Sequence, residues 1–553
     1  SNTTGASNVV VGTQALYANT TGRDNSAFGE STLASNTTGS FNAAFGGRNT
    51  GSTLAALGSN STGNYNTGLG VAALANNTTA DHNTAVGRVA LYSNSTGEKN
   101  AAVGYQALYS NTTGNYNVAV GVQAAYSNTT GNFSVAIGYQ SLYNATTGGY
   151  SNAIGYGALK ANTTGDSNNA LGVNALFSNT TGANNTAVGD GALRSNTTAS
   201  NIVAVGATCL YANTTGTGNT GIGAVALRFN TTGISNTACG QSSLYSNTTG
   251  SYNTACGVSA LESNTTAQRG VAVGHGALQA NTTGNYGVAV GMNTLYSNTT
   301  GESNTGCGQN VLFANTTGYN NTGVGYAALQ SNTTASGNTA VGKSASANST
   351  TGTSNSCFGN QAGQNLTTGS SNTIVGYDMG TYSTSITTGS FNTLIGYSSG
   401  VSSASVIGEM LINSGGFGVV GKGGNTGYIY AGGGGVYQGN NSTTWSTTSD
   451  QRLKKNIVDN NIGLEKITSI QVRNFEYRLP EEVDAELKPT DAIKKEGVQL
   501  GVIAQELQLV LPDCVKTEST GVMSVNADNL TWYLVNAIKE LKAEFDAYKS
   551  THP

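Results

Sequence analysis

The amino-acid sequence predicts a mainly β protein: a parallel β-solenoid, or β-roll, of about 23 seventeen-residue repeats, followed by a small α+β domain ending in a coiled-coil helix. Three observations carry this. A Gly preceded by a small-plus-apolar pair, as in Ala85-Val86-Gly87, returns every 17 residues along most of the chain. Charge is almost absent from that stretch and then returns abruptly: residues 1–448 hold 10 of the 23 Lys/Arg and 10 of the 27 Asp/Glu. Residues 449–553 hold the other 13 and 17, together with all four prolines, Pro480, Pro489, Pro512 and Pro553. Apolar residues near the end follow alternating four- and three-residue spacing.

The marker glycines stand at 12, 29 and 46, then from Gly70 through Gly87, Gly104 and Gly121 to Gly376 in steps of 17. One step of 24 separates Gly46 from Gly70, and a last step of 20 leads to Gly396. The consensus reads Asn-Thr-Ala-Val-Gly-x-x-Ala-Leu-Tyr-x-Asn-Thr-Thr-Gly-x-x. With 77 Gly and 9% charged residues, a disordered low-complexity tract is the first alternative. The strict period argues against it, because a disordered tract has no reason to hold Val86, Val103, Ile137 and Leu171 one place before Gly, or Leu91, Leu108 and Leu159 four places after.

Seventeen residues are too few for a helical hairpin, and Val, Ile, Thr and Tyr favour strands. Each copy is expected to supply strands around Thr-Ala-Val and Ala-Leu-Tyr, with turns at the Gly and at Asn-Thr-Thr-Gly. Stacking at about 4.8 Å per coil gives a rod of roughly 110 Å, with Asn83, Asn100 and Asn117 bonding along the stack. Neighbouring strand residues point to opposite faces, so Val86 and Ala85 cannot both face the interior. The expectation is that both faces exclude water and that the small Ala face meets another chain, as several rods about a common axis. The copies resemble the head repeats of trimeric autotransporter adhesins, with Asn117-Val118-Ala119-Val120-Gly121 the nearest match. That resemblance implies a left-handed parallel β-roll in a trimer.

The repeat offers little for catalysis. Its carboxylates, among them Asp24, Glu30, Asp81, Glu98, Asp166, Asp190, Glu262 and Glu302, are far apart, and no pair suited to glycoside hydrolysis emerges. His82, His275 and His552 give no metal cluster, and no metal or cofactor is expected. Cys239, Cys256 and Cys307 stand before Gly, and Cys209 and Cys357 replace Ala; all are expected to be free thiols acting as small buried hydrophobes. Tyr five places after Gly, as in Tyr92, Tyr109, Tyr126 and Tyr143, could stack on sugar rings, but packing on the next coil is favoured. The Asn-Thr-Thr sequon is explained by turn chemistry. A net charge of -4 leaves no footprint for nucleic acid. No stretch approaches the roughly 20 apolar residues of a membrane span.

Residues 1–400 are thus assigned to the repeats and 401–448 to a Gly-rich β neck or linker, with a separate domain over 449–553. The stretch Ser449-Asp450-Gln451-Arg452-Leu453-Lys454-Lys455-Asn456-Ile457 resembles the opening of the endosialidase-type intramolecular chaperone domain, a C-terminal module of phage tail spikes and fibres. Phe475-Glu476-Tyr477 resembles that family's aromatic strand. Gly501-Val502-Ile503-Ala504-Gln505-Glu506 with Pro512-Asp513 resembles its helix segment, and Tyr533 to Tyr548 its terminal helix. Independently, Leu534, Ile538, Leu541, Phe545 and Tyr548 follow the seam of a coiled coil; a helix packed on its own domain is the plain alternative, and the resemblance favours a trimer. It also implies that Ser449 is the nucleophile attacking the Thr448 carbonyl and Lys454 its general base. Read without it, Ser449 caps a helix and Lys454 is a solvated charge.

The reading is a homotrimeric fibre of a phage virion that attaches to a host cell-surface glycan or protein. Its C-terminal chaperone sets the register and releases itself by serine autoproteolysis before Ser449. The alternatives are a polysaccharide depolymerase whose catalytic domain would lie before residue 1, and a cellular surface adhesin.

Overall fold

The run Thr-Ala-Val and its equivalents form one three-residue strand per copy, such as Thr84–Val86, Ala101–Val103 and Val118–Val120. In the computed structural model, which describes residues 3–48, 54–432, 434–439, 446–447, 451–483, 493, 495–518 and 521–552, the chain divides into two compact units, Ser1–Thr448 and Ser449–Pro553. In the first, each strand pairs in parallel with the same strand of the next copy, Thr84 against Ala101 and Ala101 against Val118. Every coil therefore closes within one chain. The 25 strands from Val9–Val11 to Gly427–Tyr430 make a single parallel sheet. Both irregular steps keep the register, with Ala43 opposite Thr67 and Thr373 opposite Thr393.

The second strand expected at Ala-Leu-Tyr is absent, because this run is a turn. Leu108 has φ 50°, Gln106 58° and Tyr116 59°. Left-handed backbone costs a residue with a side chain about 1 kcal/mol, and three such residues recur in most coils. Two gains offset this. Leu108 is fully buried, and the turn donates to its neighbours as a strand would: Leu108 N–H to Ala124 O at 2.9 Å, Gln106 N–H to Arg88 O at 3.2 Å and Tyr116 N–H to Glu98 O at 3.1 Å. At the marker position only Gly fits. Gly104 has φ 136°, and a Cβ there would lie 2.4 Å from the Gly121 carbonyl oxygen.

The interior is narrow and half polar. Ala102, Ala107 and Leu108 share it with Asn100 and Asn111, all essentially without exposure. Such buried amides are tolerable only when bonded. Asn100 N–H donates to Asn83 Oδ1 at 2.9 Å, and Asn117 N–H to Asn100 Oδ1 at 2.9 Å, so the expected ladder forms. A second column lies beside it. Asn111 Nδ2 donates to Asn94 Oδ1 at 2.8 Å and to Gly114 O at 3.0 Å, and the same carbonyl accepts from Asn100 Nδ2 at 2.8 Å. This column is interrupted at the buried Ala145 and ends where Ser349 follows Asn332: Asn332 Oδ1 and Ser349 Oγ are buried without a partner. Beyond the break the position turns apolar, as Leu366 and then Ile386.

Ala and Val occupy the faces opposite to those expected. The Ala of each strand lines the coil interior, with Ala102 and Ala119 at 0%, whereas Val103 and Val120 point outward at 39% and 38%. The small face is the coil's own core, and the aliphatic face is the open one. Cys239, Cys256 and Cys307 share that outward column and are half-buried, half-buried and exposed; only Cys209 and Cys357 of the shaft cysteines are buried hydrophobes. Burial pushes both of those thiols up to about 12.

Residues 401–430 lose the motif but not the coil. Met410–Asn413 pairs in parallel with Thr393–Gly396, and Gly427–Tyr430 pairs with Met410–Asn413. These steps, Thr393 to Met410 to Gly427, are again 17 residues. The stack ends where Gly435–Gln438 turns back antiparallel on Gly427–Tyr430.

Candidate functional site

The C-terminal unit is built around helix α3, Ala527–Thr551, with Asn526 as its N-cap accepting from Asp528 N–H at 3.1 Å. Helix α1, Leu464–Thr468, docks on it through Gly463, where a Cβ would lie 2.2 Å from Ala537 N. Leu464 N–H donates to Glu540 Oε2 at 2.7 Å, and Asn536 Nδ2 to Asn460 O at 2.6 Å. Helix α2, Ala504–Val510, supplies Leu507 to a small core with Leu511 and Cys514, against which Ile470, Val502, Leu530 and Tyr533 pack. Two short antiparallel pairs complete the unit, Arg473–Phe475 with Gln499–Gly501 and Val515–Thr517 with Met523–Val525. Arg473 holds Glu506 through both carboxylate oxygens at 3.1 and 3.0 Å.

That core is thin. Among the described residues of the unit, the only buried hydrophobic side chains are Leu507, Leu511, Cys514 and Ala537. Leu453, Ile457, Val458, Val472, Leu500, Leu509 and Trp532 are all exposed. A single core of this size does not ordinarily hold a domain of about 100 residues together. Helix α3 explains part of it. Its inner face, Leu530, Tyr533 and Ala537, is used within the chain. The predicted seam is a separate face: Leu534, Ile538, Leu541, Phe545 and Tyr548 are 44–66% exposed.

Of the predicted cleavage residues, Thr448 and Ser449 lie outside the described residues. Lys454 follows a single 3-10 turn, Gln451–Leu453, donates its N–H to Gln451 O at 3.1 Å, and has an exposed side chain. A Lys amine serves as a base only where its charged form is desolvated.

On the shaft, the candidate binding features resolve into packing. Tyr92, Tyr109, Tyr126 and Tyr143 stack ring on ring, with centroids 5.1–5.2 Å apart. Their faces cover one another, so the column presents ring edges rather than a platform for sugars. Two of the carboxylates stand in for Asn in backbone-bonding columns: Asp81 Oδ1 accepts from Asn64 N–H at 2.6 Å, and Asp166 Oδ1 from Gly149 N–H at 2.7 Å. The sequon asparagines Asn94, Asn111 and Asn128 are buried with Nδ2 already bonded.

The outward aliphatic column was missed as a surface, although one signal for it is in the sequence: the position before each marker Gly is never charged in 23 copies. The left-handed positions also had a signal. Gly replaces the Gln106 equivalent at Gly157, Gly191 and Gly276, and the Tyr116 equivalent at Gly218 and Gly337, all at φ 61–70°.

Residues 449–516 match the family model described as chaperone of endosialidase. The match begins at Ser449 and takes in Lys454, both short strands before α2, and α2 itself. No curated protein and no solved structure matches the chain. The C-terminal unit therefore carries a chaperone domain of this type, joined to a β-solenoid shaft of repeats.

Proposed function

We propose that the chain is the subunit of a homotrimeric phage tail fibre or spike that attaches a virion to a host cell-surface glycan or protein. The observation that supports it most is the C-terminal unit, which leaves a coiled-coil seam and most of its large apolar residues uncovered in a domain of the endosialidase-chaperone type. Three such units would bury what one cannot. Held together, they set three near-identical shafts at one height while the long parallel sheet, a slow-folding topology, forms.

Release follows assembly in this reading. Ser449 Oγ attacks the Thr448 carbonyl carbon, its proton passing to Lys454. The C–N bond then breaks as the Ser449 nitrogen takes that proton. Water hydrolyses the resulting ester, leaving a Thr448 carboxylate and a free Ser449 amine. Since Lys454 is exposed in the single chain, neighbouring chains supply the desolvation that the base requires. Loss of the clamp then makes the assembled fibre kinetically trapped.

The test is to express the chain beside Ser449→Ala and Lys454→Ala and to compare denaturing gels with native mass spectrometry. The parent is expected to release fragment 449–553, and both variants to remain uncut trimers. A cut Ser449→Ala chain would remove the dyad. A monomeric native mass for the uncut variants would remove the trimer.

A further inference from the structure

We infer that the outer face of the shaft's sheet is the surface on which copies of the shaft pack against one another, in register, along its whole length. The inference rests on the trimer reading above and names the contact surface. Two outward columns form this face, the first and third residues of each strand. In the third-residue column all 23 copies are uncharged, and most are Val, Ile, Leu or Phe. Leu69, Val103, Val120, Ile137, Leu171 and Ile222 are 38–49% exposed there. The first-residue column is Thr, Val, Ala, Ser or Asn throughout, with no charge. Charge is confined to other faces, as at Glu30, Arg88, Lys99 and Arg194.

The size of this face is decisive. Two columns over 23 coils cover on the order of 1,000 Å², about half of it the aliphatic third-residue column, and monomeric proteins rarely expose an apolar stripe of even that size without using it. A specific interface needs about 800 Å² per partner. A partner must also match a spacing of about 4.8 Å over some 20 coils, and a second copy of this chain does so by construction. Side chains of β-branched size fit between one another at that spacing, whereas a lone charge in either column would be buried against apolar neighbours.

The cysteines of this column report on the contact. Cys307 is exposed in the single chain, and in-register packing places it against its equivalents. The experiment starts from full-length Ser449→Ala with Cys239→Ser and Cys256→Ser, which keeps Cys307 on the face. Native mass spectrometry is paired with a short bismaleimide applied to the folded protein, followed by a denaturing gel. Covalent dimers are expected, and adding Cys307→Ser should reduce them to background. Thr317→Cys in that last background places a thiol at an exposed turn position and should not link. A trimeric mass with Cys307 unlinked, or with Thr317→Cys linked instead, overturns the face while leaving the trimer intact. A monomeric mass overturns both.

Discussion

Deleting residues 449–553 before folding is expected to abolish soluble, assembled shaft and send most of the product into the pellet, whereas uncut Ser449→Ala stays soluble and trimeric. Centrifugation and native mass measurement of the two proteins side by side check this. The reason lies in the sameness of the coils. Sliding one shaft past another by a single coil, about 4.8 Å, loses only the contacts of the end coils, since the outward columns hold the same kinds of residue throughout. Register is weakly specified wherever chemistry repeats, and the slipped states leave apolar ends uncovered. Because each coil closes within its own chain, a truncated shaft can form coils without partners and then expose its aliphatic face. That species is aggregation-prone. A soluble trimer from the truncated chain would show that register is set elsewhere.

The largest effect of a single substitution is expected at a marker glycine in mid-stack. Gly121→Val adds a Cβ about 2.5 Å from the Gly138 carbonyl oxygen and imposes a β-branched residue at φ 139°. Neither neighbouring coil can yield, since each is bonded to the next. Backbone strain contributes about 1–3 kcal/mol, and the clash brings the total above about 4 kcal/mol. In a stack where each coil touches only its neighbours, the damage divides the array instead of lowering every coil equally. Limited proteolysis should therefore cut the variant near residue 121 and leave the parent whole. Thr130→Ser, at an exposed turn position of the same coil, should change shaft stability by less than about 1 kcal/mol and leave the digestion pattern unchanged. Equal resistance of Gly121→Val and parent would mean that the coils are not close-packed at this column.

Much of this architecture is legible in the sequence because the period is covalent. Gly104, Leu108 and Asn111 recur at fixed offsets, and recurrence alone fixes the stack and its parallel pairing. The direction of each side chain is less legible. Ala102 and Val103 are both apolar, and period-two logic says only that they oppose one another. Which one points inward is decided by packing in the bore of the coil, which holds Ala, Leu and Asn in most coils and Ile374 and Leu394 at the Ala102 position in the last ones. Ala-Leu-Tyr has the composition of a strand, yet Leu108 is left-handed, a choice made by the need to turn the chain within 17 residues. The motif disappears at Met410-Leu411-Ile412-Asn413 while the coil continues, because pairing there depends on spacing more than on residue identity. In the C-terminal unit, the seam of α3 is readable from its four-three spacing. The docking of Gly463 on Ala537 is not, since it depends on two segments far apart in sequence.

The hydrogen bonds between coils all run along the shaft. A pull on its two ends therefore loads them directly, one coil boundary after another. Each coil that lets go replaces about 4.8 Å of rod with 17 residues of chain, roughly 60 Å when extended. The coil that carries Ser349, where Asn332 Oδ1 finds no donor, and the coil that carries Ala145 in the same column lack the side-chain bond between coils and are the links expected to yield early. Under drag, such a shaft lengthens in steps and dissipates work at each one, so that a tether anchored at both ends would stretch before it detached.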